Sequence, residues 1–368
     1  MGFAGTMILL NAPYFSASCK KEFLAILKTH DLTGGHYIRR FESTFAALYG
    51  MPYAVAVNSG TSALLITLAG LGVERGDGVI VPAYTCKAIL DVLKLRGASP
   101  VFVDSYADYK HMDFNPLEED ILEALRKHRD TKAVILPYAF GKIHNYSDLE
   151  NIAQPIIEDV TLSLGAGLPR RYPNRTRIIV CSFHSSKMVS SFEGGIVATN
   201  DRRLFLQLAR MTDIVATNRE ERMQPPEKIT YQMSFSVRPS EVNFVWGHLQ
   251  LQNLPLFIAK RRRQARLYLG GLDSHKYDLP DYDAATVYYR LIVGMKKGGD
   301  VRLLRYLANS GIEAGRGVYP LLTHYEQDRQ HPPGAKTAVA HSISLPISPA
   351  LRLKQIKEVI NVLNAYSC

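Results

Sequence analysis

Cysteine is scarce in this chain, and the four copies, Cys19, Cys86, Cys181 and Cys368, follow no regular spacing. No two of them form a CxxC pair, and no set of cysteines and histidines has the spacing of a zinc site. The sequence therefore predicts neither a disulfide framework nor a metal site. We expect reduced thiols, with Cys86 and Cys181 as small buried residues rather than nucleophiles.

Long apolar runs are also missing. No segment approaches the roughly 20 apolar residues that span a bilayer, and the opening MGFAGTMILLNAPYF is too short and lightly charged for a secretory signal. No GxGxxG follows the first strands, which disfavours a nicotinamide-binding Rossmann domain. With 368 residues, 46% of them hydrophobic, we expect a cytoplasmic globular protein large enough for two domains.

Acidic residues are outnumbered, 34 against 44 basic ones, which gives a net charge of +10. The densest basic cluster is residues 260–263 with Arg266, inside a pattern that predicts a helix with a solvated basic side. No nucleic-acid recognition motif accompanies this charge, so nucleic-acid binding is not expected. An anionic small substrate fits the charge as well.

Short apolar runs alternate with helical patterns as far as about residue 240. The runs are rich in Val and Ile and begin near residues 53, 78, 99, 132, 154 and 177. Such runs are typical of strands buried on both faces, and their alternation with helices indicates a mostly parallel sheet. We expect a three-layer α/β large domain with an N-terminal arm over residues 1–240, and a smaller α+β domain over residues 241–368.

Polar residues follow three of the predicted strands. The first group is NSGTS, where Gly60, Thr61 and Ser62 open a helix whose N-terminal N–H groups could bind phosphate. An ordinary serine or threonine helix cap explains this group equally well. The second is IIEDV, where Glu158 and Asp159 end a buried strand and need a cationic partner, which a protonated heterocycle or an internal salt bridge would supply.

The third group is CSFHSSKMVSSFEGG, residues 181–195, between two apolar runs. Lysine is among the residues least often buried, and a desolvated lysine can act as the neutral amine that a Schiff base requires. Taken alone, Lys187 is better explained as an ordinary surface residue. Together with a phosphate cradle that includes Ser182, and with a carboxylate, it matches what pyridoxal phosphate needs.

These motifs carry a family resemblance over nearly the whole chain. The sequence resembles the DegT/DnrJ/EryC1/StrS sugar aminotransferases, within the fold type I pyridoxal phosphate enzymes. The segments that carry it are LTGGHYIRRFE, AVAVNSGTSALLITLAGLGVERGDGVIVPAYT, SPVFVD, LPYAFG, IIEDV, SFHSSKMVSSFEGGIVATND, RPSEVNFVWGHLQLQNLPLFIAKRR, GIEAGRGVYPLLTHY and LPISPALRLKQIKEVI.

The resemblance implies a homodimer with shared active sites that moves an amino group from glutamate or glutamine to a keto sugar, usually nucleotide-linked. It implies Lys187 as the Schiff-base lysine and Asp159 as the partner of the pyridine nitrogen. Ser182, Thr61 and Ser62 match the phosphate contacts. The partners expected are thus an anionic keto substrate and an amino donor.

Several positions depart from the family pattern. Cys86 stands where an aromatic ring usually stacks on the cofactor, and Tyr84 could replace that ring. Leu162 replaces a glutamine, Ser236 an asparagine contributed by the neighbouring subunit, and Phe192 a glycine. These losses motivate two alternatives, which are a related enzyme with another reaction or substrate and a non-catalytic cofactor-binding paralogue. The other reaction would be a dehydration, and the other substrate a cyclitol, an amino acid or a carrier-bound ketone.

Three further residues are weaker candidates for the substrate site. Tyr319 and His324 fall where the family often lines its substrate pocket, although a Tyr-Pro turn packed on the core explains them nearly as well. His184 stands close to Lys187, and it could simply fill the interior.

Overall fold

The computed structural model describes residues 7–29, 35–168, 176–212, 223, 225, 233–296, 301–326 and 332–366. A seven-stranded sheet forms the larger part. Its strands are β1 (Tyr53–Val57), β2 (Gly78–Pro82), β3 (Ser99–Val103), β4 (Thr131–Pro137), β5 (Ile156–Asp159), β6 (Arg177–Ser182) and β7 (Gly195–Thr199). None of the described helices is long and apolar enough to cross a membrane.

The sheet has the order β1-β7-β6-β5-β4-β2-β3. Only β7 runs antiparallel to its two neighbours, and the other adjacent pairs are parallel. This topology confirms the predicted mostly parallel α/β sheet. Because neighbouring parallel strands end at the same edge, the segments that follow β5 and β6 lie side by side there.

Helices cover both faces of this sheet. They are α1 (Ala17–Leu27), α2 (His36–Leu48), α3 (Gly60–Gly70), α4 (Lys87–Arg96), α5 (Glu118–Lys127), α6 (Arg202–Thr212), α7 (Glu241–Gln252) and α8 (Leu254–Gly271), with a short 3₁₀ turn at Asp148–Asn151. One apolar cluster joins the sheet to α2, α5, α7 and the start of α8, and a second joins its other face to α3, α4 and α6. Each fully buried large apolar side chain there contributes roughly 1.5–3 kcal/mol.

The smaller C-terminal part is a three-stranded antiparallel sheet with helices. It consists of β8 (Tyr277–Asp278), β9 (Leu291–Met295), α9 (Val301–Asn309), α10 (Leu322–Tyr325), α11 (Pro333–His341), β10 (Ser342–Leu345) and α12 (Leu353–Ala365). Its apolar cluster also takes in Tyr84 and Phe140 from the larger part, so the two parts share packing beside the ends of β2 and β4.

Helix α7 lies after the predicted domain division at residue 240, yet it packs on the large sheet. Phe244 of α7 and Phe257 of α8 belong to the core of the large domain, whereas Tyr268 of α8 belongs to the core of the small one. The chain thus changes packing partner along α8. The division at residue 240 stays a prediction.

The predicted solvated basic side of α8 is wrong for one of its residues. Arg261 is 1% exposed, and its Nη1 donates to the carbonyl oxygens of Tyr289 (3.0 Å) and Ile347 (2.7 Å). Its Nη2 donates to Oδ1 of Asn11 at 3.0 Å. Burial lowers the pKa of Arg261 to about 9, so the guanidinium stays charged at neutral pH. Acceptors on distant segments compensate this charge, and composition cannot reveal them.

Candidate active site

The N-terminus of α3 opens onto a cavity at the edge of the sheet. Ser59 is the N-cap, and its Oγ accepts a hydrogen bond from the Ser62 amide at 3.1 Å. The Ser62 hydroxyl donates to Oδ1 of Asn58 at 2.6 Å. Ser62 is therefore held in the local cap, and the structure does not bring it to the cavity. Gly60 and Thr61 do line the cavity.

Two glycines let this helix end approach the strands. A Cβ atom on Gly60 would lie 2.5 Å from Cβ of Ser182, and one on Gly195 would lie 2.1 Å from the carbonyl oxygen of Ser59. Any larger residue at either position would push α3 away from the ends of β6 and β7. The helix N-terminus and Ser182 consequently share one wall of the cavity, an arrangement suited to an anion.

The two carboxylates that end β5 have different surroundings. Glu158 is buried and satisfied, since Tyr138 OH donates to its Oε1 (2.8 Å) and Arg177 Nη2 to its Oε2 (3.1 Å). Neighbouring strand residues point to opposite faces, and Asp159 lies on the cavity side. Asp159 is 8% exposed, and no cation of the described residues lies within ion-pair distance of it. Only Asp159 is left to pair with a ligand.

Thr161 connects this carboxylate to the next strand. Its amide donates to Oδ1 of Asp159 at 2.9 Å, and its Oγ1 accepts from the Ser182 amide at 3.0 Å. Burial raises the pKa of the Asp159 carboxyl, while the hydrogen bonds from Thr161 and the charge of Lys187 act in the opposite direction. A cationic ligand beside Asp159 would therefore favour the ionised carboxylate.

Lys187 lies in the loop between β6 and β7 and is half-buried in the cavity wall. Its amide donates to the carbonyl oxygen of His184 at 2.8 Å, which closes a turn. The Lys187 Nζ lies 5.8 Å from the centre of the Tyr289 ring. The carbonyl oxygen of the preceding residue, Ser186, accepts hydrogen bonds from the Tyr289 hydroxyl (3.3 Å) and from Nδ2 of Asn11. The lysine loop is thus held from two distant segments.

The cavity has a volume of about 550 Å³ and collects most of the residues predicted from sequence. Those that line it are Gly60, Thr61, Tyr84, Cys86, Asp159, Leu162, Ser182, His184, Lys187 and Tyr319. Three predicted residues, Ser62, Ser236 and His324, do not line it.

Tyr84 and Cys86 stand where the family pattern expects an aromatic wall. Tyr84 is 3% exposed, its hydroxyl accepts the Val318 amide at 3.1 Å, and its ring packs beside Phe140. The prediction that Cys86 is buried is wrong, since its side chain is exposed where the chain enters α4. Cys181 is buried as predicted. A stacking role for Tyr84 stays a prediction.

The three candidate substrate residues differ in position. His184 is exposed on the cavity wall, with Nδ1 2.9 Å from the Ser186 hydroxyl and Nε2 3.4 Å from a Glu193 carboxylate oxygen, so it does not fill the interior. Tyr319 is 60% exposed at the cavity. His324 is turned to its own backbone, because its Nδ1 accepts the Leu321 amide at 3.0 Å.

Two further departures from the family pattern lie outside the cavity. Ser236 is exposed, next to Val237, whose carbonyl oxygen accepts the Asn58 amide at 2.8 Å. Phe192 has a φ of +63°, a conformation that glycine adopts without strain and other residues avoid. Its ring stacks on Trp246 with centroids 5.7 Å apart. This aromatic contact, worth about 0.5–1.5 kcal/mol, offsets part of the backbone strain.

Among the cavity residues that sequence reasoning missed are Thr161, Tyr289 and Arg290. Burial by itself would raise the pKa of Tyr289, but the charges of Lys187, Arg290 and Arg261, together with a hydrogen bond from Arg290, outweigh burial, and the pKa is lowered. Tyr289 and Arg290 could have been found from the sequence, because they form a polar pair directly before the apolar run of β9. Thr161 could have been found because its hydroxyl stands two residues after Asp159.

Solved structures identify the class of protein that this fold defines. The chain matches DesV of S. venezuelae, solved in complex with a ketimine intermediate, with a TM-score of 0.78 and 25% identity, over 95% of this chain and 94% of that one. It also matches the structure of E. coli GDP-4-keto-6-deoxy-D-mannose-3-dehydratase with bound hydrated PLP. The TM-score is 0.82 and the identity is 22%, over 98% of this chain and 100% of that one. The fold is that of the pyridoxal phosphate aminotransferases.

The family follows from the sequence comparisons. The chain belongs to the DegT/DnrJ/EryC1/StrS aminotransferase family, whose model matches residues 14–364. GDP-perosamine synthase of Escherichia coli O157:H7 is 27% identical over 345 residues, which cover 90% of each chain. Membership confirms the predicted family and the predicted class, an aminotransferase with pyridoxal phosphate as its cofactor.

Proposed function

We propose that this protein transfers an amino group from glutamate or glutamine to a nucleotide-linked keto sugar. The observation that carries the proposal is Asp159, a buried carboxylate without a protein cation, in the same cavity as Lys187 and the N-terminus of α3. The relative named GDP-perosamine synthase supports a nucleotide-linked sugar as the substrate class.

The cavity residues fit the cofactor. When bound, pyridoxal phosphate supplies an aldehyde that links to a lysine amine and a protonated ring that accepts electrons. The first turn of α3 and the Ser182 hydroxyl would bind the phosphate, since Gly60 leaves no Cβ between them. Asp159 would pair with the protonated ring nitrogen, and Thr161 would orient that carboxylate.

Lys187 has two tasks in this proposal. Its Nζ would hold the cofactor between turnovers, and during turnover it would remove the proton from the substrate carbon that carries the amino group. The loop geometry supports both, because the hydrogen bonds of Tyr289 and Asn11 to the Ser186 carbonyl hold the residue before the lysine.

Borohydride trapping followed by peptide mapping tests the proposal directly. Reduction of the cofactor-loaded protein should attach the cofactor to the peptide that contains Lys187, while protein stripped of cofactor should show no attachment. Incubation with glutamate and a nucleotide-linked 4-keto sugar should then yield an amino sugar by mass spectrometry. A dehydrated product without nitrogen would support the alternative enzyme. Absence of attachment would support a paralogue that does not use Lys187.

A homodimer with shared active sites, working in the cytoplasm, belongs to the same proposal. Ser236 supports the dimer, since it is exposed and lies outside the cavity of its own chain. Sedimentation equilibrium should give twice the 41.1 kDa mass of one chain. A monomeric mass with full activity would exclude a residue contributed by a neighbouring subunit.

Replacing Cys86 by phenylalanine should tighten cofactor binding. Cys86 is exposed on the cavity wall where the family pattern has an aromatic ring, and an aromatic contact contributes about 0.5–1.5 kcal/mol. The dissociation constant of pyridoxal phosphate, measured by dialysis, should fall by about 2- to 10-fold. Cys86→Ala is the matched control and should change it little. Equal constants for the two variants would show that this wall does not contact the cofactor ring.

A further inference from the structure

His184 is bonded through its amide, its carbonyl and its ring to the residues around Lys187. Its amide donates to Oγ of Ser182 at 3.4 Å, and its carbonyl oxygen accepts from the Lys187 amide at 2.8 Å. Nδ1 of its ring lies 3.2 Å from the amide nitrogen of Ser186 and 2.9 Å from the hydroxyl of the same residue. His184 therefore connects the serine assigned to the phosphate with the lysine assigned to the reaction.

The Ser186 amide determines which ring nitrogen of His184 carries the proton. A backbone N–H can only donate, so Nδ1 must accept and carries no proton. The Ser186 hydroxyl, which also lies against Nδ1, must then donate as well. A neutral imidazole without a proton on Nδ1 carries it on Nε2. The structure thus selects the Nε2–H tautomer of His184.

Glu193 stands on the Nε2 side of this ring. Its Oε1 lies 3.4 Å from Nε2 of His184. The backbone of Glu193 is itself fixed, because its carbonyl oxygen accepts from the Ser191 hydroxyl (2.9 Å) and from Nδ2 of Asn243 (3.1 Å). A carboxylate beside the second ring nitrogen fixes both the tautomer and the orientation of a histidine. Helix α7, which contains Asn243, is thereby connected to the lysine loop.

The peptide bond between Ser186 and Lys187 is held on both sides. Its carbonyl oxygen accepts from Asn11 and Tyr289, and its N–H donates to His184. The ring of His184 adds a hydrogen bond to the preceding amide. Because a lysine side chain is long and flexible, the direction of its backbone decides where Nζ spends most of its time. Loss of the ring contacts should therefore misplace the amine.

We infer that His184 is a positioning residue that aims Lys187 at the reacting carbon, and that Glu193 holds His184 in the tautomer that this requires. The inference rests on the proposed function, because it assumes that Lys187 is the reacting amine. It gives His184 a role different from the substrate contact that the sequence suggested. The two roles predict different kinetics.

Steady-state kinetics of the cofactor-loaded protein separate the two roles. His184→Phe keeps a ring but accepts no hydrogen bond, so kcat should fall by about 10- to 100-fold, while KM for glutamate and for the keto sugar should stay within about 2-fold of the wild-type values. His184→Asn, whose Oδ1 can accept from the Ser186 amide, should recover part of the loss. A raised KM with unchanged kcat would make His184 a substrate contact and overturn the inference.

His111→Phe is the matched control. Nδ1 of His111 lies 2.6 Å from Oδ2 of Asp108, and this exposed pair does not line the cavity. The variant also removes one histidine–carboxylate pair, and it should leave kcat unchanged. A loss of kcat as large as that of His184→Phe would show that the effect is not specific to the lysine loop and would contradict the inference.

Two measurements on protein stripped of cofactor test the geometry without turnover. Long-range proton–nitrogen NMR spectra at about pH 8, where an ordinary histidine is neutral, should show the His184 proton on Nε2, with the signal assigned by its loss in His184→Asn. Timed borohydride trapping should show pyridoxal phosphate attaching to Lys187 about 10-fold more slowly in His184→Phe than in the wild-type protein. A proton on Nδ1, or equal attachment rates, would contradict the inference. Should His184→Phe fail to fold, His184→Asn and Glu193→Ala decide in the same way, with smaller losses.

The outcome is separable from that of the proposed function. Slower attachment in His184→Phe, together with a wild-type protein that makes no amino sugar, would support the positioning role and contradict the sugar substrate. Amino-sugar formation with equal kcat and equal attachment rates in the wild-type protein and His184→Phe would do the reverse.

Discussion

Replacement of Lys187 by alanine should abolish amino transfer, with kcat reduced by at least ~10³-fold. The variant lacks the amine that would hold the cofactor and move the proton. The other lysine of the cavity wall among the described residues, Lys87, is paired with Asp91. The measurement is formation of amino sugar from glutamate and a nucleotide-linked 4-keto sugar, together with cofactor absorbance.

Two further variants test whether the loss of turnover is due to the missing amine of Lys187. Lys187→Arg keeps the positive charge, but its guanidinium cannot lose a proton at usable pH, so it should be as inactive as the alanine variant. Lys127→Ala removes an exposed lysine that pairs with Glu123 on α5, and it should leave turnover unchanged. Wild-type turnover by Lys187→Ala would remove Lys187 from the mechanism.

Replacement of Asp159 by asparagine should have effects of opposite sign on activity and on stability. The amide keeps an acceptor for the Thr161 amide at nearly the same size but cannot hold a protonated ring nitrogen, so turnover should fall by at least ~10²-fold. Without cofactor, however, the buried carboxylate has no cation to pair with. The cofactor-free variant should therefore unfold at a temperature at least ~1 °C higher than the wild-type protein.

The pH dependence of stability shows whether the ionised Asp159 carboxylate stabilises or destabilises the cofactor-free protein. Burial raises the folded-state pKa of Asp159 above the value near 3.9 of an unfolded aspartate. The unfolded chain therefore loses its proton first, and the contribution of Asp159 to stability decreases as pH rises from about 4 through the folded pKa. The asparagine variant should lack that decrease. Thermal unfolding of both cofactor-free proteins between about pH 4 and 8 measures the difference.

A lower unfolding temperature for the cofactor-free asparagine variant across this range would contradict the account of Asp159. It would mean that the carboxylate is stabilised within the protein, as Glu158 is by Arg177 and Tyr138. Glu158→Gln serves as the comparison, because it removes the partner of a buried arginine and should lower stability at neutral pH.

The sheet was predictable because its strands are short, apolar and buried on both faces. Burial of β2 is complete along its whole length, so its hydrophobic pattern reports the strand directly. The position of β7, antiparallel between β1 and β6, was not predictable, since register and order depend on pairing between segments distant in sequence.

The candidate site was predictable where chemistry is concentrated in short motifs. Asp159 ends a strand, Gly60 and Lys187 each follow one, and the fold brings all three to one cavity. Arg290 was missed because it lies in a small-domain segment whose proximity to the lysine loop depends on packing. The exposure of Cys86 and the burial of Arg261 have the same origin, since both are set by neighbours that the local sequence does not contain.

The hydrogen bonds from Asn11 and Tyr289 to the Ser186 carbonyl determine when the lysine loop can reach its final structure during synthesis. Asn11, which contacts that carbonyl, is 175 residues away in sequence, and its own partner Arg261 is 250 residues away. Tyr289, the other contact, is 103 residues beyond Ser186. A ribosome-bound chain can complete the large sheet before Arg261 and Tyr289 emerge. The lysine loop therefore gains all of these contacts only after Tyr289 has emerged, so a shorter translation product lacks part of the support of its active-site loop.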